Sequence, residues 1–181
     1  TGDTNGCTMV GMVITAAMTQ ARAITATFAI DQKTLTVTSA HGHQNPGTTT
    51  TDWGNAMACL ITNATVLEGS TTQYLANGGT VLSNDSVLVS DTNVTLSLTN
   101  DAVLTWAWRT NYWLDTIATG SGGVDVADAW CGAGSNVAIT ATASNNQHFS
   151  GWTGDTNGCT MVGTVITAAM TQARAITATF A

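Results

Sequence analysis

Residues 174–181, RAITATFA, decide how the chain reads. Ile176, Ala178 and Phe180 alternate with Thr177 and Thr179, so an extended strand here has one apolar face and one hydroxyl face, a period of two rather than the 3.6 of a helix. The same alternation runs through Leu104 to Trp108 (LTWAW), and the abundant Thr and Val suit a pleated surface. The runs are short and bounded by Gly, Asn, Asp and Ser clusters, the spacing of antiparallel all-β modules. Ala16 to Ala23 and its copy Ala168 to Ala175 have a helix-compatible composition, but the flanking β runs make each a connecting turn.

Working outward, RAITATFA closes a long duplication. Thr1–Ala29 (TGDTNGCTMVGMVITAAMTQARAITATFA) recurs as Thr153–Ala181 with only Met12 against Thr164 changed, 152 positions downstream. Such near-identity marks a tandem array, and the chain reads as an excerpt that starts within one copy and stops at the end of the next. A fainter repeat lies inside the period. Opening strands are expected at Thr34–Ala40 and Tyr112–Thr119, middle strands at Ala58–Thr62 and Val137–Thr142. Each half closes with two strands joined by a polar turn: Val94–Leu98 then Leu104–Trp108, and Val165–Ala169 then Ile176–Phe180. The expected organisation is residues 1–29 as the end of a preceding module, 30–109 as module A and 110–181 as module B.

Composition excludes several classes. The 181 residues carry six Trp and a net charge of -7 with only 8% charged residues, so the chain is neither disordered nor coiled coil. Lys33, Arg22, Arg109 and Arg174 are its only cations, which excludes phosphate-rich partners such as nucleic acid. No apolar run approaches the roughly 18 residues of a membrane span, and no secretory leader pattern opens the chain; the segment is expected to be soluble as given, with no membrane insertion.

Module B carries an opening strand, the turn Gly120-Ser121-Gly122-Gly123, a V-x-I-T-A-T strand, the run Phe149-Ser150-Gly151-Trp152-Thr153-Gly154-Asp155 and a closing I-T-A-T-F-A. In these it resembles the divergent InlB B-type repeats of bacterial surface proteins. Module A departs from the pattern, reading QYLANGG near Tyr74 where the Gly-Trp pair would fall. The resemblance implies a small β-rich module, sandwich-like or β-grasp-like, strung in extracellular or cell-surface arrays that serve as stalks, spacers or adhesive surfaces, without a catalytic set.

The residues themselves offer few sites. Alternation places Phe149 and Gly151 on one strand face and Ser150 and Trp152 on the other, with Trp152 read as a core residue. Trp106, Trp108, Tyr112 and Trp113 straddle the module junction and are expected to pack between modules, a sugar-stacking platform being the competing reading. His41 and His43 could share a metal on a continuing strand, but Gly42 and Gln44-Asn45-Pro46-Gly47 suggest solvated loop histidines. Asp155-Thr156-Asn157-Gly158 has the look of a calcium loop without its distal acid, and a tight turn is the default reading, with calcium at Asp155 and Asn157 the alternative. No other cofactor is expected.

No nucleophile elbow is present, and no enzymatic activity is expected. Lys33, the sole lysine, gives weak grounds for an isopeptide crosslink. Cys131 and Cys159 fall in one module, where a bridge would add roughly 2–4 kcal/mol; Cys7 copies Cys159, and Cys59 is left as a buried thiol or an intermolecular partner. Asn63, Asn84 and Asn93 match the N-glycosylation pattern, with Asn93 expected to be the most buried. The function expected is a structural repeat whose partners are neighbouring copies meeting at open sheet edges, or an adhesive array that grips glycan or host protein.

Overall fold

The computed structural model describes Thr1–Ala181. The chain is all-β, without a helix, and forms two compact units, Thr1–Gln32 and Lys33–Ala181.

The first unit is a hairpin of β1 (Cys7–Val10) and β2 (Val13–Ala16), with a single bridge between Gly2 and Ile24. In the larger unit the first half contains β3 (Gln32–Ser39), β4 (His43–Asn45), β5 (Thr49–Asp52), β6 (Ala56–Thr62), β7 (Thr65–Glu68), β8 (Thr72–Leu82), β9 (Leu88–Val89) and β10 (Asn93–Ser97). The strand β11 (Ala102–Thr119) follows, and then β12 (Gly122–Val124), β13 (Ala129–Gly132), β14 (Asn136–Ala143), β15 (Phe149–Gly154), β16 (Thr160–Val162), β17 (Val165–Ala169) and β18 (Arg174–Phe180).

The pairing repeats. In the first half, β3 lies parallel to the start of β11, β8 lies antiparallel to it, and β6 joins β4 to β10 in a second sheet. In the second half, the end of β11 lies parallel to β18, β15 is antiparallel to β18, and β14 joins β12 to β17. Each half is therefore two facing sheets with apolar faces turned inward. Leu35, Leu98, Leu104 and Trp106 lie in the first core, and Leu114, Ile139, Ile166 and Ile176 in the second. The first half has an additional hairpin, in which β7 pairs with the start of β8.

The closing strands of each half are joined by a polar turn but do not pair with each other. β10 pairs with β6 while β11 pairs with β3 and β8; β17 pairs with β14 and β16 while β18 pairs with β11 and β15. Alternation fixes which face of a strand is apolar, and two strands with apolar faces bury them equally well by facing each other across a core. The expected module boundary at 109/110 falls inside β11. That strand is the last of one half and the first of the next, and its Asn111 and Tyr112 pair with β8 on one side and β13 on the other.

Candidate functional site

The residues singled out in the sequence concentrate on β11 and on the two turns beside β18. Along β11, Trp106 is 2% exposed within the first core, so it is a core residue and not a contact between modules. Trp108 donates through Nε1 to Ser39 Oγ at 2.9 Å and meets His41 edge to face, and the His41 ring stacks on Tyr74 at 3.8 Å. Tyr112 packs on the second core, and Trp113 meets Trp130 edge to face at 5.2 Å. Beside this pair a cleft of about 520 Å³ is lined by Arg109, Thr110, Asn111, Trp130, Gly132 and Ala133. It sits where the two halves join on β11, and it combines a cation, amide and hydroxyl groups and an indole.

The run Phe149 to Asp155 departs from simple alternation. A β-bulge between Phe149 and Gly151 inserts one residue, which brings Phe149 and Trp152 onto the same core cluster with ring centroids 5.3 Å apart. The extra residue reverses the parity that alternation assigns. Phe149 also meets Phe180 edge to face, and Phe180 lies over Gly122, where a Cβ would overlap the ring.

Register shows what replaces the missing Gly-Trp pair in the first half. Trp152 pairs with Ala178, and the equivalent pair is Gly79 with Trp106. The indole has moved to the facing strand, and glycine has taken the position it left. Both indole nitrogens, Trp106 Nε1 and Trp152 Nε1, are buried without a hydrogen-bond partner.

The turn at Asp155 is organised by a cation that sequence reasoning passed over. Arg174, 4% exposed, donates through Nη1 to the carbonyl oxygens of Asp155 (2.7 Å) and Asn157 (2.8 Å), and through Nε to Ala169 (2.8 Å). The amide of Ala175 donates to Asp155 Oδ2 at 2.9 Å. The guanidinium thus holds the main-chain carbonyls of the turn while the Asp155 carboxylate accepts the Ala175 amide, which fits the tight turn expected for Asp155-Thr156-Asn157-Gly158. Arg22 makes the same bonds to Asp3 and Asn5 in the first unit. The visible signal was that two of only four cations occupy equivalent places in the two copies.

Elsewhere, His43 opens the short strand β4, so Gln44 and Asn45 are paired rather than looped. No cluster of three or more His, Cys, Asp or Glu is placed to hold a metal ion. All four cysteines are free thiols, in place of the expected Cys131–Cys159 bridge, although both of those residues pack on the second core. Burial pushes the Cys59 and Cys131 thiols above their ordinary value. Among the glycosylation candidates Asn63 and Asn93 are exposed, whereas Asn84 is buried. Asn84 donates to Ser97 O and accepts from the Thr99 amide and hydroxyl and the Asn100 amide, which makes it a turn buttress. The burial expected of Asn93 thus belongs to Asn84.

The second half is a helix-free module of two facing sheets, closed by the parallel pairing of its first and last strands. The family model of the divergent InlB B-repeat domain matches it, over residues 112–181. No curated protein and no solved structure matches the chain.

Proposed function

We propose that the chain is a structural repeat module of a long bacterial surface protein or extracellular filament, acting as a stalk, spacer or fibre building block with no reaction of its own. The observation that carries this is β11. Its 18 residues pair with strands of both halves, so a continuous strand of about 60 Å takes the place of a hinge. Neighbouring modules joined by a linker move relative to one another by default; a shared central strand removes that freedom between the two halves of each repeat. Match to the InlB B-repeat model supports the surface setting, and the near-identical copies support repetition along one axis. Electron microscopy of the native protein should show rods or filaments with a regular repeat, and a population of compact particles would contradict the proposal.

The cleft at Arg109, Asn111 and Trp130 favours a second reading, an adhesive array for glycan or host protein. Indole faces stack on sugars, and the polar groups beside them would orient hydroxyls. Binding by the full chain on a glycan array, abolished by Trp130→Ala with the fold intact, would establish it.

A further inference from the structure

Arg109, Asn111 and Trp113 leave β11 on the face opposite Leu104, Trp106 and Leu114, whose side chains fill the two cores. β13 lies antiparallel along this stretch, with Trp130 opposite Trp113 and Gly132 opposite Asn111. The second pair is open. A Cβ at Gly132 would meet only Asn111 Oδ1, at 4.0 Å, and the backbone there does not take a positive φ. Neither packing nor conformation therefore requires glycine at this position; what it supplies is free space above Asn111. Asn111 is 8% exposed, its Nδ2 donates to Gln73 Oε1 at 3.2 Å, and its Oδ1 accepts no hydrogen bond from the chain. The bond to Gln73 fixes the amide, with its acceptor oxygen turned to the cleft.

Arg109 is two residues along the same strand face, roughly 7 Å from Asn111. It is exposed and pairs with no carboxylate of the chain. The other arginines, Arg22 and Arg174, are held by main-chain carbonyls, so Arg109 is the guanidinium whose donors stay open. On the other side of Asn111, the half-buried Trp130 is braced edge to face by Trp113.

We propose that this cleft binds a sugar residue bearing a single carboxylate. Arg109 takes the carboxylate through paired N–H donors, the Trp130 indole covers the apolar face of the ring, and Asn111 Oδ1 accepts from a sugar hydroxyl. The volume of about 520 Å³ is that of a small-molecule site. A chain of net charge -7 repels a densely sulfated or phosphorylated polymer. The ligand therefore carries its acid singly on an otherwise neutral glycan, as a sialic or a uronic acid does. The inference deepens the adhesive reading and rests on it.

The test is calorimetric titration of the full chain with sialyllactose against lactose, and with digalacturonate against its dimethyl ester. At least one acidic sugar should bind tenfold or more tightly than its neutral counterpart, and which one does so separates the sialic from the uronic source. Arg109→Gln should remove that preference, whereas Lys33→Gln, the same loss of charge outside the cleft, should keep it. Gly132→Val fills the space above Asn111 and should abolish binding, with the fold of each variant checked by thermal unfolding. Acidic and neutral sugars that bind alike, and lose binding in Trp130→Ala, would overturn the inference and leave the adhesive reading standing. An acidic preference that survives Arg109→Gln, binding that survives Gly132→Val, or no binding of any of the four sugars would also overturn it.

Discussion

Trp106 and Trp152 fill equivalent places in the two halves from opposite strands. Trp152 faces Ala178 across β15 and β18, while Trp106 faces Gly79 across β11 and β8. Core volume is conserved although position is not, as close packing requires. Truncating either indole to Ala should cost about 3–5 kcal/mol in chemical denaturation. In the second half, Trp152→Gly/Ala178→Trp should recover much of what Trp152→Gly loses, because it reproduces the arrangement of the first half. A double variant no more stable than the single one would show that the halves are not equivalent at this point. Each indole N–H is buried without a partner, so Trp106→Phe should cost less than its lost volume suggests.

Arg174 and Arg22 allow a comparison within one chain. Replacing Arg174 by Met removes the buried guanidinium that donates to the carbonyls of Asp155, Asn157 and Ala169, and should destabilise the larger unit by about 2–4 kcal/mol. Arg22→Met acts where water can replace the donor, and should change stability by no more than about 0.5 kcal/mol. Thermal unfolding of the two variants checks the difference. With the guanidinium in place, calcium should leave the unfolding temperature unchanged.

The same logic applies to Ile176 and Ile24. Ile176→Ala should cost about 2–5 kcal/mol, and Ile24→Ala about 0.5 kcal/mol or less, although their sequence neighbourhoods are the same. Urea titrations of both variants at micromolar concentration give the comparison; equal effects would mean that the two copies share one environment.

Acid should loosen the second half through Asp125. Its carboxylate accepts the Thr140 amide at 2.6 Å, and that hydrogen bond holds its pKa below the ordinary carboxylate range. A lowered folded value means that the contribution is complete above the unfolded value of about 3.9 and is lost as pH falls through the folded value. Asp125→Asn should therefore flatten the stability profile below about pH 4 while leaving the profile near neutrality parallel to wild type. An unchanged acid limb in the variant would remove Asp125 from the account.

Thiol chemistry should follow burial. Cys59 is buried in the first core, and its desolvated thiol resists ionisation. Alkylation of the native chain followed by peptide mass mapping should modify Cys7 and Cys159 before Cys131 and reach Cys59 last. Labelling of Cys59 together with the others would indicate an open first half.

The strands were legible from alternation: Ala58–Thr62, Val137–Thr142, Ile176–Phe180 and all of Thr34–Ala40 but its last residue lie on observed strands. Their partners were not, because a two-residue period says which face is apolar and nothing about which sheet covers it. Alternation sets Phe149 and Trp152 on opposite faces, whereas one bulge residue brings both to the core. The contrast between Ile24 and Ile176 lies outside any local reading, since their immediate sequences are identical and only the surrounding strands differ. Of the candidate sites, the aromatic stretch of β11 was visible in the sequence, whereas the cleft beside it depends on Trp130 and Gly132, which β13 brings across from a later stretch.

The central claim is that the unit supplies length and stiffness. Its most direct test is the end-to-end length, by small-angle scattering or electron microscopy, of chains carrying one, two and three copies of residues 30–181. A constant increment per copy, with the two halves of each copy held in line by β11, is the predicted result. Particles that grow in girth while their length stays the same would contradict it.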